Sequence, residues 1–318
     1  MAATPASPAL IPPEQLAALN QRSDAAGWRQ TISHAALLTL SAAVWLRSDL
    51  PLPLRVIALL LLGAGLAFCF CAMHECGHRT AFANRSLNDA VSWWAGVLSF
   101  YNADFYRRYH QWHHRYTHQP GLDPELEDAI PTTPQAYLLE LSGLTWWIGK
   151  VRGHARALRG DFEGCPYIPE EAAAQVSRSV RAQFAVYGAI ALASIPSGNG
   201  LLLWAWLLPL AVGQPLLRWV LMAEHTGCSF GTDGTANTRT TLTMGPLRWL
   251  MWNMPFHAEH HLYASVPFHA LPRAHRYVAS DLQHLDHGYL RAITKPVDRR
   301  LGIITGVRGY SHWINRPG

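Results

Sequence analysis

The sequence predicts an all-α integral-membrane protein, with four transmembrane helices beneath a cytoplasmic helical cap. Three observations carry that prediction. Residues 34 to 46, 56 to 73, 182 to 196 and 200 to 217 contain no Asp, Glu, Lys or Arg. Each run is apolar all round, as a helix buried on every side must be. Eight histidines fall outside these runs in three packets, His74 and His78, then His110, His113 and His114, then His257, His260 and His261. Within each packet the spacing is i, i+4 or i, i+3, i+4, which sets the side chains on one helical face.

Taken in order, residues 1 to 30 read as an N-terminal cytoplasmic tail and residues 31 to 318 as one membrane domain. The first span covers about 31 to 47 and the second about 54 to 74, joined by the short turn from Asp49 to Pro53. Some of the uncharged runs are shorter than the ~20 residues that usually cross a bilayer, but neutral and snorkelling neighbours extend them. The second span runs straight into HECGH, residues 74 to 78. A cap segment, 75 to 178, follows. It opens with an interface-lying or re-entrant helix over 87 to 101 and a second helix carrying the middle box, before prolines at 120, 124, 131 and 134 interrupt regular structure. Residues 135 to 160 alternate Leu and Trp with Lys150, Arg152, Arg156 and Arg159, a pattern that fits either an anionic leaflet or a solvated helix face. Spans three and four occupy about 180 to 196 and 200 to 222, and the cap resumes from 223 to 318.

The formal charge of +5 is laid out for a membrane and not for nucleic acid. Arg47 and Arg55 alone flank the first turn, so 24 of the 26 Lys and Arg residues (26 minus these 2) lie on the opposite side. The positive-inside rule makes that side the cytoplasm, with both termini in it, across an inner or plasma membrane if the source is bacterial. The pairs Trp93–Trp94 and Trp146–Trp147 suit a headgroup belt. Met1 to Gln21 do not read as a cleaved signal peptide. Five cysteines, two of them within the second span, do not suggest a disulfide framework. Four crossings return the chain to its starting side, so all three packets face one compartment.

Eight imidazoles exceed the three or four protein ligands that one zinc takes and suffice for two metals, although imidazole alone does not name the metal. His225, directly after the fourth span, is placed to be a ninth ligand. Asn253, four residues before His257, would hold a metal-bound water if it shared the box helix's face. Ligating imidazoles need an acceptor on the second ring nitrogen, and Glu75, Asp104, Asp123, Glu125, Glu224 and Glu259 are candidates for it. His34, His154, His269, His275, His284, His287 and His312 lack helical pairing and read as surface or interfacial. HECGH also satisfies the HExxH pattern of zinc proteases, with Glu75 as general base. A protease needs only one further ligand, which leaves most of the other histidines without a purpose. A metal transporter would hold its site near the midplane, not at the interface.

The boxes HECGH, HQWHH and HAEHH on a four-span frame resemble the membrane fatty acid desaturase superfamily, integral-membrane enzymes with a histidine-bound pair of irons. The resemblance covers about residues 55 to 280, supported by HHRYTHQPGLDPE, MAEHTG and HHLYASVPFHALPRAH. It implies that the eight box histidines bind two Fe ions, with His225 as the ninth ligand and no catalytic residue separate from the ligands. It implies O2 as co-substrate and oxidation of an unactivated C–H bond in a lipid, with fatty acyl desaturation first. Hydroxylation, ketolation or decarboxylation of a lipid, hydrocarbon or terpenoid is the alternative. Since neither an HPGG signature nor a cysteine run for an iron–sulfur cluster is present, electrons are expected from a separate donor such as a ferredoxin with its reductase. The basic face with Arg152, Arg156 and Arg159 would suit such an acidic partner.

Overall fold

Helices cover the uncharged runs in the computed structural model, which describes residues 10–126, 133–198 and 200–294. Expectations that fall on residues 1–9, 127–132, 199 and 295–318, including Pro131 and His312, lie outside the described residues. Helix α1 covers Pro13–Leu19 and α2 Asp24–Trp45, the latter capped by Ser23 Oγ accepting from the Ala26 amide at 3.2 Å. Helix α3, Leu52–Gly77, starts with proline in its first turn, where a missing N–H costs nothing. Helices α4, Arg85–Ser99, and α5, Ala103–Tyr116, are capped by Asn84 and Asn102. Then follow α6, Pro134–Leu141; α7, Leu144–Arg159; and α8, Glu170–Ser197. A π turn, Leu203–Leu207, leads into α9, Leu208–His225.

The remainder alternates short strands and helices: β1, Thr240–Leu242; α10, Gly245–Leu250; α11, His257–Leu262; α12, Leu271–Val278; β2, Leu285–His287; and α13, Tyr289–Thr294. Strands β1 and β2 pair in parallel, Thr240 opposite Leu285. The fold is therefore mostly helical, not purely so, because this three-residue ribbon ties the segment after α9 to the end of the described chain.

Among the described residues, two helical stretches are long and apolar enough to cross a membrane, Leu52–Gly77 with a mean hydropathy of 2.6 and Leu203–His225 with 1.3. The other two expected spans fall on α2 and α8, which begin well before the uncharged runs, at Asp24 and Glu170, and carry charged first turns. At 22 and 28 residues they are long enough, but neither is as apolar as the two stretches above. The expected tail also differs. From residue 10 the chain is packed, with Ile11 wholly buried beside Leu19, Phe256, Val266 and Leu271, and the Ile11 amide donating to Tyr263 Oη at 3.2 Å. Four apolar residues, Leu10, Ile11, Leu16 and Leu19, outweigh the surrounding prolines and serines once a partner surface exists.

Helix α3 is the axis of the molecule, lying against α2, α4 and α9. Its contact with α9 is backbone on backbone: a Cβ built on Gly213 would stand 1.9 Å from the Gly63 carbonyl oxygen. Small residues permit this approach, as in helix pairs packed in lipid. Gly63 lies 11 residues before His74 and Gly213 lies 12 before His225. At 1.5 Å per residue both helices therefore carry their histidines about 17 Å beyond the crossing, to the same level.

Candidate metal centre

Four elements deliver nine histidines to one buried place. Helix α3 brings His74 and ends on His78, α5 brings His110, His113 and His114, α9 ends on His225, and α11 brings His257, His260 and His261. Helix α5 is held at its start by Asn102, whose Oδ1 accepts from the Phe105 amide at 3.0 Å and whose Nδ2 donates to Gln183 Oε1 of α8 at 3.0 Å. Helix α11 is anchored through Glu259, which accepts from Thr240 Oγ1 and His275 Nδ1, both at 2.5 Å.

The rings divide into two nests. In the first, His74, His78, His110, His114 and His260 each offer a nitrogen, all within 4.8 Å of one another. In the second, His113, His225 and His261 do the same, and His257 joins them, its Nε2 lying 3.2 Å from His225 Nε2 and 3.1 Å from His261 Nε2. The nests abut, with the rings of His114 and His261 stacked at a centroid distance of 4.1 Å.

The donor set fits metal ions. His114 Nε2 stands 3.0 Å from His110 Nε2 and 3.1 Å from His260 Nε2. Neutral imidazoles have one N–H each and cannot satisfy such a convergence by hydrogen bonding alone. It is the spacing expected between nitrogens that share one ion at bond lengths of about 2.1 Å. The buried Nε2 atoms of His74 and His78 have no hydrogen-bond partner among the described residues. Burial, reinforced by neighbouring histidines, pushes His110, His114, His257, His260 and His261 well below the ordinary histidine range. His78 is driven down to about 3 by burial and by Arg107. Neutral imidazole is the form a metal requires.

His113 is the exception. Burial would lower it, but Asp123 and Glu125 overcome that and raise it to about 9. Asp123 Oδ1 lies 2.9 Å from His113 Nδ1, while its Oδ2 accepts from the His118 amide at 2.7 Å. Glu125, whose Oε2 is 3.8 Å from the same nitrogen, is raised to about 7 by burial.

Of the acidic candidates, Asp123 alone is hydrogen-bonded to the outer nitrogen of a box histidine. Glu75 instead accepts from Thr80 Oγ1 at 2.6 Å and from the Phe268 amide at 3.0 Å, bracing the loop after the third box. Both bonds end on the same oxygen, Oε1, and tie the carboxylate to Thr80 and to the loop after the third box. Glu259 braces α11, and His275, expected at the surface, is its partner. Glu224 approaches from the metal side, its Oε2 3.5 Å from His257 Nε2.

Two expectations are corrected. Asp104 sits partly exposed in the first turn of α5 and accepts from Gln175 Nε2 at 2.9 Å, away from the boxes. It shares its helical face with Arg108 and Gln111, well around the helix from His110 and His113. Asn253 does not join the box helix either. Helix α11 begins only at His257, and Asn253 lies in the turn before it at φ 56°, its Nδ2 donating to the Phe268 carbonyl at 3.1 Å. The shared helical face that would aim it at the metals is not formed.

Two supports carry no signal in the sequence. His225 Nδ1 lies 3.1 Å from the Asn237 carbonyl, and His261 Nδ1 lies 3.1 Å from Thr117 Oγ1. A backbone carbonyl is common to every residue type, and Thr117 is one of many threonines.

Comparison with known proteins agrees with this geometry. The fatty acid desaturase family model matches residues 51–292, and the chain belongs to that family. It is therefore an oxidoreductase of the desaturase type. Its curated relatives are distant. An sn-1 oleoyl-lipid 12-desaturase of Anabaena variabilis is 23% identical over 85% of this chain and 81% of its own length. The enzyme of the same name from Synechocystis is 24% identical over 67% of this chain and 65% of its own. A sphingolipid delta(4)-desaturase/C4-monooxygenase of Rattus norvegicus is 24% identical over 70% of this chain and 65% of its own.

Proposed function

We propose that the chain is a multi-pass membrane enzyme that uses two irons and O2 to oxidise an unactivated C–H bond in a lipid, with fatty acyl desaturation as its reaction. The observation that carries this reading is the convergence of nine histidines from four helices into two adjoining buried nests. His74, His78, His110, His114 and His260 would hold one iron, and His113, His225, His257 and His261 the other. When bound, the pair of irons supplies the oxidising power that O2 alone cannot direct at a methylene group.

The protein's own residues do the rest. Asp123 fixes the outer nitrogen of His113, and the Asn237 carbonyl fixes that of His225, so that both rings keep their orientation. Phe70, Tyr106, Leu221 and Met254 line the cavity beside the histidines and exclude bulk water. In this reading α2, α3, α8 and α9 cross the membrane, and the histidines, like both termini, face the cytoplasm. There a separate donor, a ferredoxin or similar protein with its reductase, delivers electrons. Hydroxylation by the same centre is the second reading, favoured by relatives whose name carries both desaturase and monooxygenase. The relatives' names point to position 12 of an oleoyl lipid and position 4 of a sphingolipid, so they leave the position of attack open.

Lipid mass spectrometry of host cells with and without the protein tests the reading. A new lipid species lighter by two hydrogens supports desaturation, and one heavier by one oxygen supports hydroxylation. An unchanged lipid profile together with a single bound zinc and peptide cleavage would overturn both.

A further inference from the structure

The cavity against the histidines is less apolar than an unfunctionalised hydrocarbon chain would require. Beside Phe70, Leu221 and Met254 it is lined by Glu125, Arg218 and Glu224. Arg218 is 3% exposed and Glu224 7%. The guanidinium is fixed in place, since its Nη2 donates to Tyr101 Oη at 2.8 Å and Trp146 Nε1 donates to the same oxygen at 3.0 Å. Its Nε and the Oε1 of Glu224 nevertheless have no hydrogen-bond partner among the described residues. Glu125 and Glu224 lie within reach of the Arg218 charge, but among the described residues neither forms a salt bridge with it. A buried charged donor left unpaired is costly, and a methylene chain has no acceptor to offer. A chain carrying an oxygen does.

We propose that Arg218 is a substrate-positioning residue that receives an oxygen acceptor, a carbonyl or hydroxyl, lying a few carbons from the C–H bond that is oxidised. The inference rests on the oxidative reading above and narrows it to lipids attacked near a polar group, in place of the middle of a plain acyl chain. Glu224 Oε1, also unpaired, faces the same cavity and can share a hydrogen bond with the hydroxyl of an alcohol.

The test is equilibrium binding of tritiated hexadecan-2-one and hexadecane to the iron-loaded full chain in detergent, without turnover. Wild-type protein is expected to bind the ketone at least tenfold more tightly. Arg218→Met, which keeps the bulk and removes the donors, is expected to erase that preference at unchanged iron content. Equal affinities in the wild type, or a preference that survives in Arg218→Met, overturn the inference. The wild-type pair decides alone should the variant fail to fold. Iron content measured on the same sample separates the two ideas: a chain with two irons and no ketone preference refutes the role of Arg218 and leaves the proposed function standing, whereas a ketone preference without iron does the reverse.

Discussion

The two histidine nests share helices α5 and α11 yet are braced unequally. In the second nest three of the four outer nitrogens have partners, Asp123 for His113, the Asn237 carbonyl for His225 and Thr117 for His261. In the first, the outer Nδ1 atoms of His110 and His260 are buried with none among the described residues. Helical spacing delivers ligands, but the order of metal affinity is set by what stands behind them. On the proposed function, the expected outcome is that the second nest holds its metal more tightly than the first.

The largest test of that contrast removes one ligand from each nest. His260→Ala and His225→Ala should both lower turnover at least ~100-fold, but His260→Ala should keep the second nest's iron, while His225→Ala should weaken the better site. Metal analysis of the purified variants after dialysis checks it. A smaller effect comes from Asp123→Asn, which removes the charge behind His113 without removing a ligand. Loss of such a partner typically costs about 10–100-fold in metal affinity, and here it should fall on the second nest only, read by competition with a chelator.

Smallest for a single step, one pH unit, is the response to pH. His113 is raised to about 9 by its carboxylates and so binds a proton at neutral pH in the metal-free protein, which the metal must displace. Affinity at the second nest should rise with pH, by about tenfold per unit at most, and level off near pH 9. The first nest, whose histidines are held below the ordinary range, should stay flat from about pH 7 to 9. Parallel curves for both nests would remove the contrast.

Much of this site is legible in the sequence. All eight box histidines and His225 meet as their spacing implies, because i, i+3 and i+4 positions on a helix have little choice of direction. The supports are legible only in part. Asp123 lies close in sequence to its partner, ten residues from His113, whereas Asn237 acts through its backbone on a ring twelve residues away. Asp104 and Asn253 fail for a local reason, since one faces around the helix and the other sits before the helix starts. The packing of Ile11 and Leu19 is hidden because its partners, Phe256 and Leu271, come more than two hundred residues later.

Assembly of a pair of metals by one chain is the claim on which everything above depends. Elemental analysis of the purified, iron-supplied protein tests it most directly. The expected result is about two irons per chain, falling to about one in His260→Ala. A wild-type chain that binds a single metal, or a zinc that iron does not replace, would contradict it.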